Sequence, residues 1–152
     1  MDKLAYKGDP NAIKLPSPAI VGDNGDFSFS GLKTAALNYI NSTRQKGEEP
    51  SHADMAASYT KVIVDAIVKK TEWVIDKYRP ETLVLAGGVA ANSHIRGALE
   101  GLCARKKVEF CRPSMSLCSD NAAMVAAAGY FEYLAGNFAD TSLNASANDD
   151  GK

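Results

Sequence analysis

Two adjacent glycines at the end of an apolar run constrain this chain more than any other feature. Thr82–Arg96 reads TLVLAGGVAANSHIR: Leu83-Val84-Leu85-Ala86 has strand character, Gly87-Gly88 follows, and helix-period residues run from about Ala90 to Lys107. A strand that delivers glycines into a helix start lets the backbone turn where side chains would clash. It also presents free N–H groups at the positive end of a helix to a ligand. Asn92, in the first turn after the glycines, can reach such a ligand through its amide, or it can cap the helix. Spacing alone leaves both readings open. Val108–Cys111 is a second short strand, closed by Pro113. The stretch therefore predicts a β-α-β unit with parallel strands and a right-handed crossover.

The segments before this unit are irregular, then helical. Residues 1–25 carry Gly8-Asp9-Pro10, Pro16-Ser17-Pro18 and Gly22-Asp23-Asn24-Gly25. They predict a helical turn at 2–7, then an irregular surface lead-in with a strand near 19–21. So much loop at an opening reads as a cut edge. Phe27 and Phe29 alternate with Ser28 and Ser30, which predicts a short strand and Ser30 as the N-cap of a helix to about Thr43. Lys33 in that first turn opposes the helix dipole; it is either an exposed cation without a role or a sign of an anionic partner. Ser51 and Asp54 resemble a capping box before a long helical pattern that Pro80 stops, as one bent helix or two stacked ones.

After the β-α-β unit, Asp120 precedes an Ala-rich helix predicted over 122–134, with Gly136 as its C-cap. Asp120 reads as an N-cap, or as a metal or phosphate-linked carboxylate at the sheet's carboxyl edge, where α/β folds place ligands. Arg105-Lys106-Lys107 complements the dipole of the preceding helix. Residues 139–152 are small and polar and read as a disordered tail. Cys103, Cys111 and Cys118 form no CxxC pair and are an odd number, which predicts reduced thiols and a cytoplasmic protein. A net charge of −1 gives no global basic field for nucleic acid. No apolar run approaches the roughly 18 residues that span a bilayer, so no membrane partner is expected. His52 and His94 are isolated imidazoles, not a metal pair.

Three blocks, DFSFSGLKTA from residue 26, LAGGVAANSHIR at 85–96 and LCSDNAAMVAAAG at 117–129, together resemble the carboxy-terminal part of the TsaD proteins. These are the threonylcarbamoyl-adenosine tRNA transferases once labelled glycoproteases or O-sialoglycoprotein endopeptidases. The resemblance covers about residues 1–136. It implies an α/β fold: the carboxy-terminal lobe, in part, of an actin/Hsp70/sugar-kinase-like (ribonuclease-H-like) architecture with long helices on a small sheet. Residues 1–25 would be the remnant of the inter-lobe region, 26–138 the nucleotide-cleft lobe and 139–152 the tail. The implied reaction moves threonylcarbamoyl from threonylcarbamoyl-AMP to N6 of adenosine 37 in tRNAs reading codons that begin with A.

By the same resemblance, Asn92 contacts the bound adenylate, Gly87 and Gly88 shape its approach, and Asp2, in Met1-Asp2-Lys3-Leu4-Ala5, contacts the substrate. Asp120 ligates one divalent metal of the iron or zinc class. The family's other ligands, two histidines at H-x-x-x-H spacing in its amino-terminal half, have no counterpart, because His52 and His94 stand 42 positions apart. The glycine-rich phosphate loop of the other lobe is absent too. The implied chain is thus a fragment, inactive alone and without a complete metal site. Its partners would be the missing amino-terminal lobe, tRNA, the proteins of the threonylcarbamoylation complex and, through an exposed cleft face, itself. Two other readings are a non-catalytic partner-docking module and a fragment of an actin-fold ATPase or kinase. No Ser-His-Asp or Cys-His arrangement and no H-E-x-x-H motif is present, which argues against a covalent intermediate and against the protease label.

Overall fold

The computed structural model describes residues 1–18 and 26–144, which fall into two compact units, Met1–Cys118 and Ser119–Lys152. The strand expected near 19–21 lies outside the described residues, as does the tail from residue 145. The first unit contains α1 (Asp2–Ala5), α2 (Ser30–Gln45), α3 (His52–Tyr78), β1 (Thr82–Val84), α4 (Ser93–Lys106) and β2 (Glu109–Cys111). The second contains α5 (Ala122–Ala135). No helix among the described residues is long and apolar enough to cross a membrane.

The 27-residue α3 is one continuous helix, not two stacked ones. Ser51 caps it, its hydroxyl accepting from Asp54 N–H at 3.2 Å, and Arg79 ends it in the left-handed region at φ 49 before Pro80 forbids continuation. The reciprocal half of a capping box is missing. The Asp54 carboxylate instead accepts the Asp9 N–H at 2.8 Å, tying the lead-in to the helix. Ser58, fully buried, extends that tie: its Oγ accepts from Ile13 N–H at 3.1 Å and donates to the Asp9 carbonyl at 3.2 Å. Gly8 runs so close to α3 that a Cβ there would collide with the Ala53 carbonyl.

β1 and β2 pair in parallel with Thr82 opposite Glu109, Leu83 opposite Phe110 and Val84 opposite Cys111, the pairing that the β-α-β pattern predicts. The core forms where α4 lies between this sheet and α3. Ile75, Ile95, Leu99 and Leu102 are buried there, with Ile67, Leu83, Val108 and Phe110 packed against them. Lys106, at the end of α4, reaches Asp76 at 2.8 Å and Glu72 at 3.0 Å on α3. These carboxylates, Asp76 foremost, hold the ammonium charged to a higher pH than usual. The basic C-terminal run thus latches two helices together besides complementing a dipole.

Two sequence expectations fail locally. Residues 26–29 form no strand; the Phe27 and Phe29 rings stack at 5.8 Å, and Phe29, not Ser30, occupies the N-cap of α2 without a side-chain cap. Ser30 is already helical, and no strand lies beside this segment among the described residues to pair with it. All three cysteines are free.

Removing the Ser58 hydroxyl leaves the Ile13 N–H without its acceptor in a buried place. Ser58→Ala should therefore cost about 1–3 kcal/mol in urea unfolding. Asp54 generates a pH prediction. The Asp9 N–H, then the Ser51 hydroxyl, depress its pKa below the ordinary 3.8, so its stabilisation is whole above that value and fades as pH falls through the lowered folded value. Thermal melts between about pH 2 and 6 should show less acid sensitivity for Asp54→Asn than for the native chain.

Candidate functional site

The glycine turn is built to bring a strand end to a helix start with little covering it. β1 is prolonged by one hydrogen bond, Leu85 N–H to the Cys111 carbonyl at 2.9 Å. Gly87 then adopts φ 85, a conformation that only glycine takes without strain, and its carbonyl accepts from Ala90 N–H at 2.9 Å. Residues Gly88–Ala91 form a short 3-10 turn before α4 begins at Ser93. The helix therefore starts three residues later than the sequence pattern predicts, and Asn92 is its N-cap instead of lying in its first turn. Gly88 is different from Gly87. It lacks a positive φ, and a Cβ there would meet nothing within 4 Å, so packing does not demand glycine. Gly88 leaves that side of the turn open.

Asn92 serves the cap with one end only. Its Oδ1 accepts from Ile95 N–H at 3.0 Å, and its Nδ2 has no partner among the described residues. The side chain borders a cavity of about 240 Å3 lined mainly by apolar groups, including Phe29, Ile63, Val89 and Ile95, with the Thr60 hydroxyl as a further polar group.

Asp2 arrives at the same helix end from the other terminus of the unit. Its Oδ1 accepts the Ser93 N–H at 3.1 Å, and the Ser93 Oγ lies 3.0 and 2.9 Å from its two carboxylate oxygens. The His94 Nε2 stands 3.2 Å from the Asp2 carbonyl oxygen, its ring stacks on Tyr6 at 4.0 Å, and the Tyr6 hydroxyl is 2.9 Å from Ser93 Oγ. Asp2 and Asn92, ninety positions apart, are thereby brought to one turn. The sequence reading missed Ser93, His94 and Tyr6. The first two directly follow Asn92, but nothing in their spacing says that α1 folds back onto them.

Arg96 was missed as well. Its Nε and Nη2 donate to the carbonyl of fully buried Ala90 at 3.1 and 2.7 Å, and Nη2 also lies 2.8 Å from Met115 Sδ and 3.7 Å from buried Cys118 Sγ. One guanidinium thus holds the glycine turn and the loop ahead of Asp120. Asp120 itself belongs to the second unit. It is not the cap of α5: Asn121 is, its Oδ1 accepting from Met124 N–H at 2.9 Å, while Gly136 closes the helix at φ 74 as predicted. Asp120 is exposed and free of hydrogen bonds within the described residues, a carboxylate available to a ligand. No group of three or more His, Cys, Asp or Glu side chains able to hold a metal occurs among the described residues. His52 is exposed and His94 is engaged with Asp2 and Tyr6. The described residues do not by themselves fit a metal.

The profile of the TsaD family, tRNA N6-adenosine threonylcarbamoyltransferase, matches residues 1–127. Relatives bearing that name include proteins of Clostridium botulinum strain 657, 43% identical over 97% of this chain, and Desulfitobacterium hafniense strain Y51, 44% identical over 95%. A third, from Bacillus cereus ATCC 10987, is 44% identical over 95% of the chain. This chain spans 44%, 42% and 42% of those relatives' lengths. A match over most of the sequence assigns the chain: it belongs to the TsaD family of tRNA N6-adenosine threonylcarbamoyltransferases.

Proposed function

We propose that this chain is the carboxy-terminal half of an enzyme that transfers threonylcarbamoyl from its adenylate to N6 of adenosine 37 in tRNA. In this reading it forms part of an actin-like, two-lobed fold and works in the cytoplasm. The observation that carries the reading is the division of labour at Asn92, where Oδ1 is spent on the helix and Nδ2 is left free beside an open glycine turn. Asn92 Nδ2 and the open backbone at Gly88 hold the adenosine part of the substrate, and Asp2, fixed by Ser93, accepts a hydrogen bond from it. Binding energy spent there orients the carbamoyl carbon toward the attacking adenine amine, which is how positioning lowers a barrier without a covalent intermediate.

The metal enters only in the longer protein. Asp120 would contribute one oxygen, with the family's histidine pair, in the part this chain does not span, supplying the rest. A lone carboxylate is a poor site for zinc or iron. The same incompleteness bears on α5. Met124, Val125, Tyr130, Phe131 and Leu134 are all exposed on it, and a helix apolar around its whole circumference belongs in an interior. In the longer relatives the remaining chain would cover it. In this chain alone it would favour self-association. The amino-terminal lobe, tRNA and the proteins of the modification complex are the partners this reading requires.

Supplying the amino-terminal part of the Clostridium botulinum relative in trans should give threonylcarbamoyl transfer to tRNA that neither half catalyses alone. Asn92→Asp separates the two duties of this residue, because aspartate still caps but cannot donate. It should leave thermal stability near native and lower adenylate affinity and transfer about tenfold, a loss of roughly one hydrogen bond to a charged or polar ligand. Asn92→Ala should lower both, with about 1 kcal/mol lost from stability. Full transfer by Asn92→Asp would contradict the assignment. So would a folded pair of halves that stays inactive.

A further inference from the structure

We propose that the groove between α2 and α3 is a docking site for an amphipathic helix of a partner protein that carries a carboxylate beside its apolar stripe. The groove measures about 450 Å3, room for about three apolar side chains spaced along one helix face. Its floor is small, with Ala36 and Ala56 both buried, and its walls are Leu37, Ile40, Met55 and, from α1, Leu4. Small residues between larger ones are what lets a second helix approach closely. Leu37 is 50% exposed and Leu4 37% exposed, so apolar surface is left open along the groove.

Charge decides what kind of helix fits. The polar side chains of the lining are Lys33, His52 and Tyr59; it holds no carboxylate. Lys33 has no ion-pair partner among the described residues. It stands in the first turn of α2, a turn with no acidic residue and no side-chain cap, so the positive end of the helix dipole is added to its charge. The imidazole of His52, the first residue of α3, donates a hydrogen bond in either protonation state. The neighbouring Asp54 is not part of the lining; its carboxylate accepts the Asp9 N–H. An apolar groove edged by the unpaired Lys33 ammonium and a hydrogen-bond-donating imidazole selects a helix that places a glutamate or aspartate over Lys33. The groove shares only Met1 with the cavity beside Asn92, and the proposal stands apart from the adenylate reading.

The test uses the whole chain and two labelled helical peptides of about fifteen residues, identical in a leucine stripe at i, i+4 and i+7, one flanked by glutamate and the other by lysine. Fluorescence anisotropy should show the glutamate peptide binding about fivefold or more tightly than the lysine peptide. Lys33→Glu should reverse that order, and Leu37→Asp should abolish binding of both. Both residues are exposed, and circular dichroism checks that the variants remain folded. Equal binding of the two peptides, or none by the folded chain, overturns the proposal. Light scattering that shows a dimer dissolved by Leu37→Asp also overturns it, because the groove would then belong to a second copy.

Discussion

The first turn of α4 is the joint on which the rest of the larger unit depends. A helix begins with N–H groups that have no partner inside the helix. Here Asn92 Oδ1 takes the Ile95 N–H and the Asp2 carboxylate takes that of Ser93. Sealing the helix with a side chain from the far end of the sequence draws α1 onto α4. The Tyr6–His94 stack and the Ser93 hydroxyl bonds follow from that closeness. The same arrangement limits what can bind. An anionic group arriving at this turn must compete with Asp2 for Ser93, whereas a group that accepts from Asn92 Nδ2, or donates to Asp2, need not.

Packing then holds the joint in place. α3 is the platform: the lead-in is tied to its first turns through Asp54 and Ser58, and α4 rests on its later turns through Ile75 and the Lys106 latch. Gly87 lets β1 turn into this frame, and Arg96 clamps the turn from behind through the Ala90 carbonyl. Asp2 and Asn92 are therefore set at helix ends. Gly88 and the Asn92 Nδ2 are left open among the described residues, the parts that the proposed function gives to the substrate.

Much of this was legible in the sequence, and the failures have physical causes. The β-α-β unit could be read because strand and helix periods change at Gly87-Gly88. The Ser51 cap and the Gly136 terminus could be read because those residue types have few other uses at such places. Short-range alternation misled at Phe27–Phe29, since a strand needs a neighbour to pair with and none lies there among the described residues. Asp120 and Asn121 are both good caps, and adjacent candidates cannot be told apart by type; the structure gives the cap to Asn121. Arg96, Ser93 and Tyr6 were illegible because their roles are contacts over distance. Asn92 was legible from the glycine turn as a cap or a ligand contact, Asp2 was named by family resemblance alone, and the geometry that joins them could not have been derived from spacing.

The central claim is that the glycine turn, Asn92 and Asp2 form a preformed half-site. Calorimetric titration of the chain alone with a non-hydrolysable threonylcarbamoyl-AMP analogue, repeated on Asp2→Ala, tests it most directly. The account predicts weak, saturable binding by the native chain and a clear loss in the variant. A folded, monodisperse chain that gives no heat of binding, or a variant that binds as well as the native chain, would contradict it.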